Sequence, residues 1–176
     1  MSKDHIYPVV DLFAGPGGLG EGIAALRNPK NRSGYAFKIA LSIENDPHAH
    51  RTLQLRHFFR EFEPDTVPED YYRYLEGGIS LEELYRRHPG ESSRAHHTAW
   101  RCTLGEEPHI HVRQRIRDAL ADQKKWVLVG GPPCQAYSLV GRSRMMRNPA
   151  FESDPRHYLY REYLRILSDH QPPVFV

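Results

Sequence analysis

Only two cysteines occur in 176 residues, no apolar run is long, and the charges nearly cancel. Each of these scarcities excludes something. Cys102 and Cys134 have unlike surroundings and no C-x-x-C partner, which argues against a disulfide framework or a thiolate zinc site and leaves reduced thiols. The ~18 consecutive apolar residues of a spanning helix are missing, and the N-terminal M-S-K-D-H lacks the apolar segment of a secretory signal. A soluble cytoplasmic protein without a membrane partner is therefore expected. Twenty-four Lys and Arg against 22 Asp and Glu leave a net charge of +2, too weak by itself to announce a nucleic-acid partner. Residues 142–147 (R-S-R-M-M-R) are nevertheless locally cationic, while 61–70 and 76–91 hold most of the acid. The histidine pairs His48/His50, His96/His97 and His109/His111 complete no recognised ligand spacing with a carboxylate or thiol, so no metal is expected.

The length suits one compact domain, which buries roughly 70% of its unfolded surface and needs no covalent staple. Residues 6–13 (I-Y-P-V-V-D-L-F) form a short apolar run of the kind buried on both faces of a parallel sheet, and they lead directly into A-G-P-G-G-L-G-E-G. Leu19, Ile23 and Leu26 then recur at helical spacing until Asn28-Pro29. A second strand is predicted at 37–44, followed by Asp46 as N-cap, Pro47 at the first helical position, and a helix to about Phe59. Strand, turn and helix thus repeat, which predicts an α/β fold with a mostly parallel sheet and right-handed crossovers. The charged, Tyr-rich stretch 61–95 interrupts this rhythm and reads as one or two amphipathic helices split at Gly77-Gly78, packed on the sheet edge. Further expectations are a third strand at 98–104 and a helix at 112–120 with Ile116, Ala119 and Leu120 inward. W-V-L-V at 126–129 is a strand, and a late helix carries Tyr160, Tyr163, Leu164 and Leu167. An apolar run, P-P-V-F-V, stands at 172–176.

Ligands of open α/β sheets bind beyond the carboxyl ends of the strands. Gly15-Pro16-Gly17-Gly18-Leu19-Gly20 satisfies G-x-G-x-x-G between a strand and a helix, and Glu44 closes the second strand where it can accept hydrogen bonds from a ribose. Together they point to an adenosine-containing ligand; NAD, FAD and S-adenosylmethionine all qualify. Cys134 follows a strand in G-G-P-P-C-Q-A-Y-S, where two prolines stiffen the turn, so the thiol is either a nucleophile facing the crevice or a small buried apolar group. Gln135, Ser138, Arg142 and Arg144 lie in a polar, cationic loop that suits phosphate contact or plain solvation. Cys102 has no such context and reads as core.

D-L-F-A-G-P-G-G-L-G-E-G (11–22), I-E-N-D (43–46) and G-G-P-P-C-Q-A-Y-S (130–138) resemble the first, second and fourth motifs of the cytosine-C5 DNA methyltransferase family, and residues 154–176 are similar to its fifth motif and following strand. The resemblance implies a Rossmann-like methyltransferase fold, incomplete here, and S-adenosyl-L-methionine as cofactor with S-adenosyl-L-homocysteine as product. Phe13, Ala14, Gly15, Gly17, Gly18, Leu19, Glu44, Asn45, Pro132 and Leu159 would contact that cofactor, with Glu44 on the ribose. It further implies double-stranded DNA as partner, a cytosine flipped from the stack, Cys134 as the nucleophile that adds to C6, and Gln135, Ser138, Arg142 and Arg144 on the loop that closes over DNA.

The chain also departs from that family. Where an Asp after the third strand would read the adenine, this chain has T-L-G-E-E-P, and no Asp can be assigned. The family's E-N-V motif, arginine motif, target-recognition domain and final motif are not found in the 176 residues. The expectation is accordingly the N-terminal part of a catalytic domain, with little turnover alone, whose missing half comes from the same polypeptide or a second chain. An apolar, unpaired edge is expected at 174–176. Two alternatives stay open: a tRNA cytosine-5 methyltransferase, and a non-catalytic S-adenosylmethionine-binding half of a split or degenerate enzyme. An NAD dehydrogenase fits the glycine turn and Glu44 but leaves P-P-C-Q and the basic loop unexplained.

Overall fold

The computed structural model describes residues 5–30, 34–132 and 158–176. Its centre is strand β1 (Tyr7–Leu12), buried from Pro8 onward as its apolar sequence requires. Helix α1 (Gly18–Ala24), strand β2 (Phe37–Glu44) and helix α2 (Pro47–Arg60) follow. Asp46 caps α2 by accepting hydrogen bonds from the backbone N–H groups of His48 (3.0 Å) and Ala49 (2.7 Å), and Pro47 stands at the first helical position, where its missing N–H costs nothing. The remaining core elements are β3 (Ala99–Arg101), α6 (His109–Leu120), β4 (Val127–Gly130), α7 (Leu159–His170) and β5 (Val174–Phe175). All five strands are parallel, in the order β3-β2-β1-β4-β5.

Alternation along β1 divides the molecule into layers. Val10 and Leu12 pack with Leu41, Ile43, Ile116 and Ile166 beneath α6 and α7, whereas Val9 packs with Ala24, Ile39 and Val129 beneath α1. With both faces of the sheet covered by helices, this is the α/β arrangement expected of a Rossmann-like methyltransferase fold.

Several expectations need correction. The third strand is three residues long, not seven: Thr98 belongs to the preceding helix, where its hydroxyl donates to the Arg94 carbonyl, and the chain turns away after the Cys102 N–H donates to the Glu44 carbonyl. The insertion contains three helices, α3 (Glu69–Leu75), α4 (Leu81–Arg87) and α5 (Pro89–Thr98), after a 3-10 turn at Pro64–Thr66. Gly77 does separate α3 from α4, with φ +78°, and the three helices close over Phe58 of α2 in a small core of their own with Leu84 and Ala95.

On α1 the predicted apolar stripe faces the sheet only at Ile23, which packs against Val9, Ile39 and Val129. Leu19 and Leu26 are exposed, and the buried positions are Gly20 and Ala24, because small residues let the helix lie close to β1 and β2. On α7 the inward residues are Tyr163 and Ile166 rather than Tyr160 and Leu164. The terminal run is not unpaired: β5 lies along β4, and the Tyr163 hydroxyl donates to the Val176 carbonyl at 2.9 Å, although the side chains of Val174 to Val176 are exposed. Among the described residues no helix is long and apolar enough to cross a membrane.

Candidate cofactor site

A cavity of about 480 Å³ opens beyond the C-terminal ends of the strands, within the ~300–1,000 Å³ range of small-molecule sites. Four of the five strands contribute residues at or just past their ends. Phe13 comes from the end of β1, Glu44 and Asn45 from β2, Cys102 through Glu106 from β3, and Gly131 from β4, while Leu159 and Glu162 of α7 form the far wall.

Two features of this cavity are energetically costly. Phe13 has φ +56°, a left-handed conformation that costs a bulky L-residue about 1–2 kcal/mol and is sustained only by its surroundings. The backbone then returns at once to the sheet, the Ala14 N–H donating to the Ile43 carbonyl at 3.0 Å. Glu44 is 9% exposed, a poorly hydrated position for a carboxylate. Its Oε2 accepts the Gly15 N–H and its Oε1 the Asp46 N–H, both at 2.7 Å. The side chain thereby ties the turn after β1 to the start of α2. A carboxylate offers about four lone-pair sites, so two remain for hydroxyl donors in the cavity. That donor and acceptor set fits a ribose diol, the recognition made by an acid at the end of a second strand in dinucleotide folds.

Beyond β4 the chain needs glycine for a steric reason. A Cβ at Gly130 would lie 2.4 Å from the Leu12 carbonyl oxygen, because β1 and β4 meet there in register. The close approach brings the start of the G-G-P-P-C turn beside the end of β1.

Of the ten residues expected to hold the cofactor, Phe13, Glu44, Asn45 and Leu159 line the cavity. Gly15 joins them through its N–H to Glu44, and Ala14 is buried against Leu53 and Ala99. Gly17, Gly18, Leu19 and Pro132 are not in its wall; Gly17 faces a different depression and Leu19 is exposed. Cys134, Gln135, Ser138, Arg142 and Arg144 lie outside the described residues.

Cys102, read as core, is buried and also forms part of the cavity wall, where burial pushes its thiol up to about 12. A thiol so raised is neutral near pH 7 and poorly suited to nucleophilic attack. Sequence reasoning pointed to the stretch T-L-G-E-E-P as the place of an adenine contact without assigning a residue, and it missed that Thr103, Leu104, Gly105 and Glu106 form the wall. The signal was available in the T-L-G-E-E run after a strand, a position where α/β sheets place ligand contacts. It also missed Asp11, whose side chain is 1% exposed.

The C-5 cytosine-specific DNA methylase family profile matches residues 96–176. The type II methyltransferase M.Bpa9945I of Bacillus paralicheniformis is 31% identical over 186 residues, covering 96% of this chain and 39% of that protein. This chain belongs to the cytosine-C5 DNA methyltransferase family. The type II methyltransferase M1.HphI of Haemophilus parahaemolyticus is 27% identical, covering 100% of this chain and 34% of its own length. For the type II methyltransferase M.AquIA of Picosynechococcus sp. the identity is 26%, with coverage of 96% and 46%. The chain thus spans between about a third and a half of these methyltransferases. No solved structure gives a significant match.

The family match includes β3, β4 and the G-G-P-P-C-Q sequence but begins after the glycine turn and Glu44. The N-terminal half of the site is covered by the whole-chain similarity to M.Bpa9945I, M1.HphI and M.AquIA.

Proposed function

We propose that this methyltransferase transfers a methyl group from S-adenosyl-L-methionine to C5 of cytosine in double-stranded DNA. Residues 1–176 correspond in this reading to the N-terminal part of its catalytic domain. The observation that carries the proposal is the cavity beyond β1, β2 and β3, where a strained Phe13 and an anchored, half-satisfied Glu44 face the same space in a member of this family. The type II methyltransferase names of the relatives favour DNA, in the setting of restriction and modification, over other polymers.

The cofactor, when bound, supplies an activated methyl on a sulfonium sulfur. Glu44 accepts the ribose hydroxyls through its two free lone-pair sites, Phe13 and Leu159 provide apolar contact for the adenosine, and the turn after β1 carries the remaining part of the ligand. Cys134 is the nucleophile. Its thiolate adds to C6 of a cytosine flipped out of the duplex, which raises electron density at C5. C5 would then take the methyl as its C–S bond breaks, leaving S-adenosyl-L-homocysteine, and loss of the C5 proton with departure of the thiolate would restore the aromatic ring. Gln135, Ser138, Arg142 and Arg144 belong to the loop that closes on the DNA backbone.

The test is covalent trapping by the intact protein on a duplex containing 5-fluorocytosine, in which the blocked proton loss holds the adduct. A cofactor-dependent, denaturation-resistant complex is expected with the wild type and none with Cys134→Ala. Trapping that survives Cys134→Ala overturns the mechanism, and trapping on tRNA but not on duplex DNA overturns the choice of polymer.

A further inference from the structure

The far wall of the cofactor cavity carries an aromatic ring. Tyr158, the residue before α7, lines the cavity beside Leu159 and Glu162, yet 48% of it is exposed. A ring left half in water at the mouth of a cavity contributes little to folding, since much of its apolar surface stays in solvent. Its position is nevertheless held. The guanidinium carbon of Arg161, one turn along α7, stands 4.6 Å from the ring centroid, within reach of a cation–π contact, and Arg161 Nε reaches the Tyr160 hydroxyl at 3.4 Å.

The direction of a bound nucleoside follows from the groups that would hold its sugar and tail. With the ribose on Glu44 at the end of β2 and the tail on the turn after β1, the base lies on the other side of the ribose, toward β3 and α7. Cys102, Leu104, Leu159 and Tyr158 border that part of the cavity. Leu104, 4% exposed, gives it an apolar floor, and Tyr158 is the aromatic residue on the α7 side among the described residues. Every base presents a π-face on which such a ring can stack. Arg161 occupies one face of the Tyr158 ring and leaves the other to a ligand. A ring already held by its cation loses less freedom when a ligand arrives.

We propose that Tyr158 is a cofactor-binding residue whose ring stacks on the purine of S-adenosylmethionine, and that Arg161, stacked on the opposite face of the ring, is a positioning residue that holds it there. This rests on the proposed S-adenosylmethionine site with Glu44 on the ribose. The plain alternative is an i, i+3 pair that supports the first turn of α7. A helix support has no means of telling a ligand that carries a base from one that lacks it, and the two roles part on that difference.

The experiment measures, by calorimetry on the intact protein, the affinity of wild type, Tyr158→Phe, Tyr158→Ala and Arg161→Gln for S-adenosylhomocysteine and for S-ribosylhomocysteine, which has no base. Tyr158→Ala is expected to bind S-adenosylhomocysteine at least about fivefold more weakly than wild type and S-ribosylhomocysteine equally well, while Tyr158→Phe keeps wild-type affinity for both. Arg161→Gln is expected to weaken S-adenosylhomocysteine about two- to fivefold, and to add nothing once Tyr158 is Ala. An unchanged affinity in Tyr158→Ala, or an equal loss for the two ligands, overturns the base contact while leaving the cofactor reading intact. An Arg161→Gln effect that is absent, or that persists without the ring, overturns the positioning role. No wild-type binding of S-adenosylhomocysteine overturns the cofactor reading as well. If Tyr158→Ala does not fold, Tyr158→Leu takes its place with the same expected losses.

Discussion

Replacing Glu44 tests the most tightly connected group of the cofactor site. Its carboxylate accepts two N–H donors at 2.7 Å from a position only 9% exposed. Hydrogen bonds to charged acceptors contribute roughly 1.5–3 kcal/mol each. Glu44→Ala removes both and leaves the Gly15 and Asp46 N–H groups without their acceptor, so a loss of about 3–6 kcal/mol of folding stability is expected. That is a large part of the ~5–15 kcal/mol available to a domain. Glu44→Gln is the better probe. It keeps one acceptor oxygen, turns an amide N–H₂ toward the other donor, and should cost about 2–3 kcal/mol while leaving a folded protein. Its effect on binding is separate: a ribose hydroxyl that loses a charged acceptor loses about 1.5–3 kcal/mol, or about 10- to 150-fold in Kd. The assay is a double cycle in calorimetry, pairing wild type and Glu44→Gln with S-adenosylhomocysteine and its 2′-deoxy analogue. If Glu44 holds the ribose, removing the hydroxyl costs affinity in wild type and little in the variant, so the two changes are not additive. Full additivity, or an unchanged Kd in Glu44→Gln, refutes the assignment.

Three other outcomes are expected. Gly130→Ala places a methyl 2.4 Å from the Leu12 carbonyl and must separate β4 from β1, costing ~1–3 kcal/mol or more in denaturant unfolding and abolishing covalent trapping through the adjoining turn; wild-type trapping would show that the strand ends adapt. Phe58→Ala removes a fully buried ring that touches Phe62, Tyr85 and Tyr71, at ~3–5 kcal/mol, and hydrogen exchange should show the loss in the three inserted helices while the sheet amides keep their protection. For Asp11 the carboxyl is raised from 3.8 to about 7, so the folded state binds a proton that the unfolded state has released between those values. Its contribution to stability is therefore complete below the lower value and lost as pH rises through the upper one. The interval between the two values corresponds to at most ~4 kcal/mol, and Asp11→Asn should remove the resulting slope of stability against pH.

Much of the architecture was legible because it is encoded locally. The strand at Phe37–Glu44 and the proline-led helix after Asp46 are read from contiguous apolar residues and a cap, and both stand where expected. The inserted helices were harder because two of the three are only seven residues long, too short for a hydrophobic period to establish itself, and only His88 separates the end of α4 from the start of α5. The inward face of α1 was misread for another reason. Apolar periodicity assumes that large residues seek the core, whereas this helix approaches the sheet so closely that Gly20 and Ala24 are its fully buried positions, with Ile23 at the margin and Leu19 outside.

The site divides in the same way. Phe13 and Glu44 were legible because each ends a strand, and a strand end is a position in sequence as well as in space. Thr103, Leu104 and Glu106 also follow a strand, but β3 is only three residues long, and which of them face the cavity is decided where the sheet brings β3 and the beginning of α7 together. Strand order does the joining. The chain lays down β1, moves outward to β2 and β3, and returns to place β4 on the other side of β1, so the order reverses at β1. The turn after β1 is therefore flanked by Glu44 on one side and by the Gly130-Gly131 entry to the P-P-C-Q turn on the other. A ligand held by that turn and Glu44 has Gly131 as its neighbour without any adjacency in sequence. Gly130, which has no side chain to offer a ligand, shapes the cavity all the same: it sets how near β4 comes to β1, and hence how near Gly131 stands to the turn after β1.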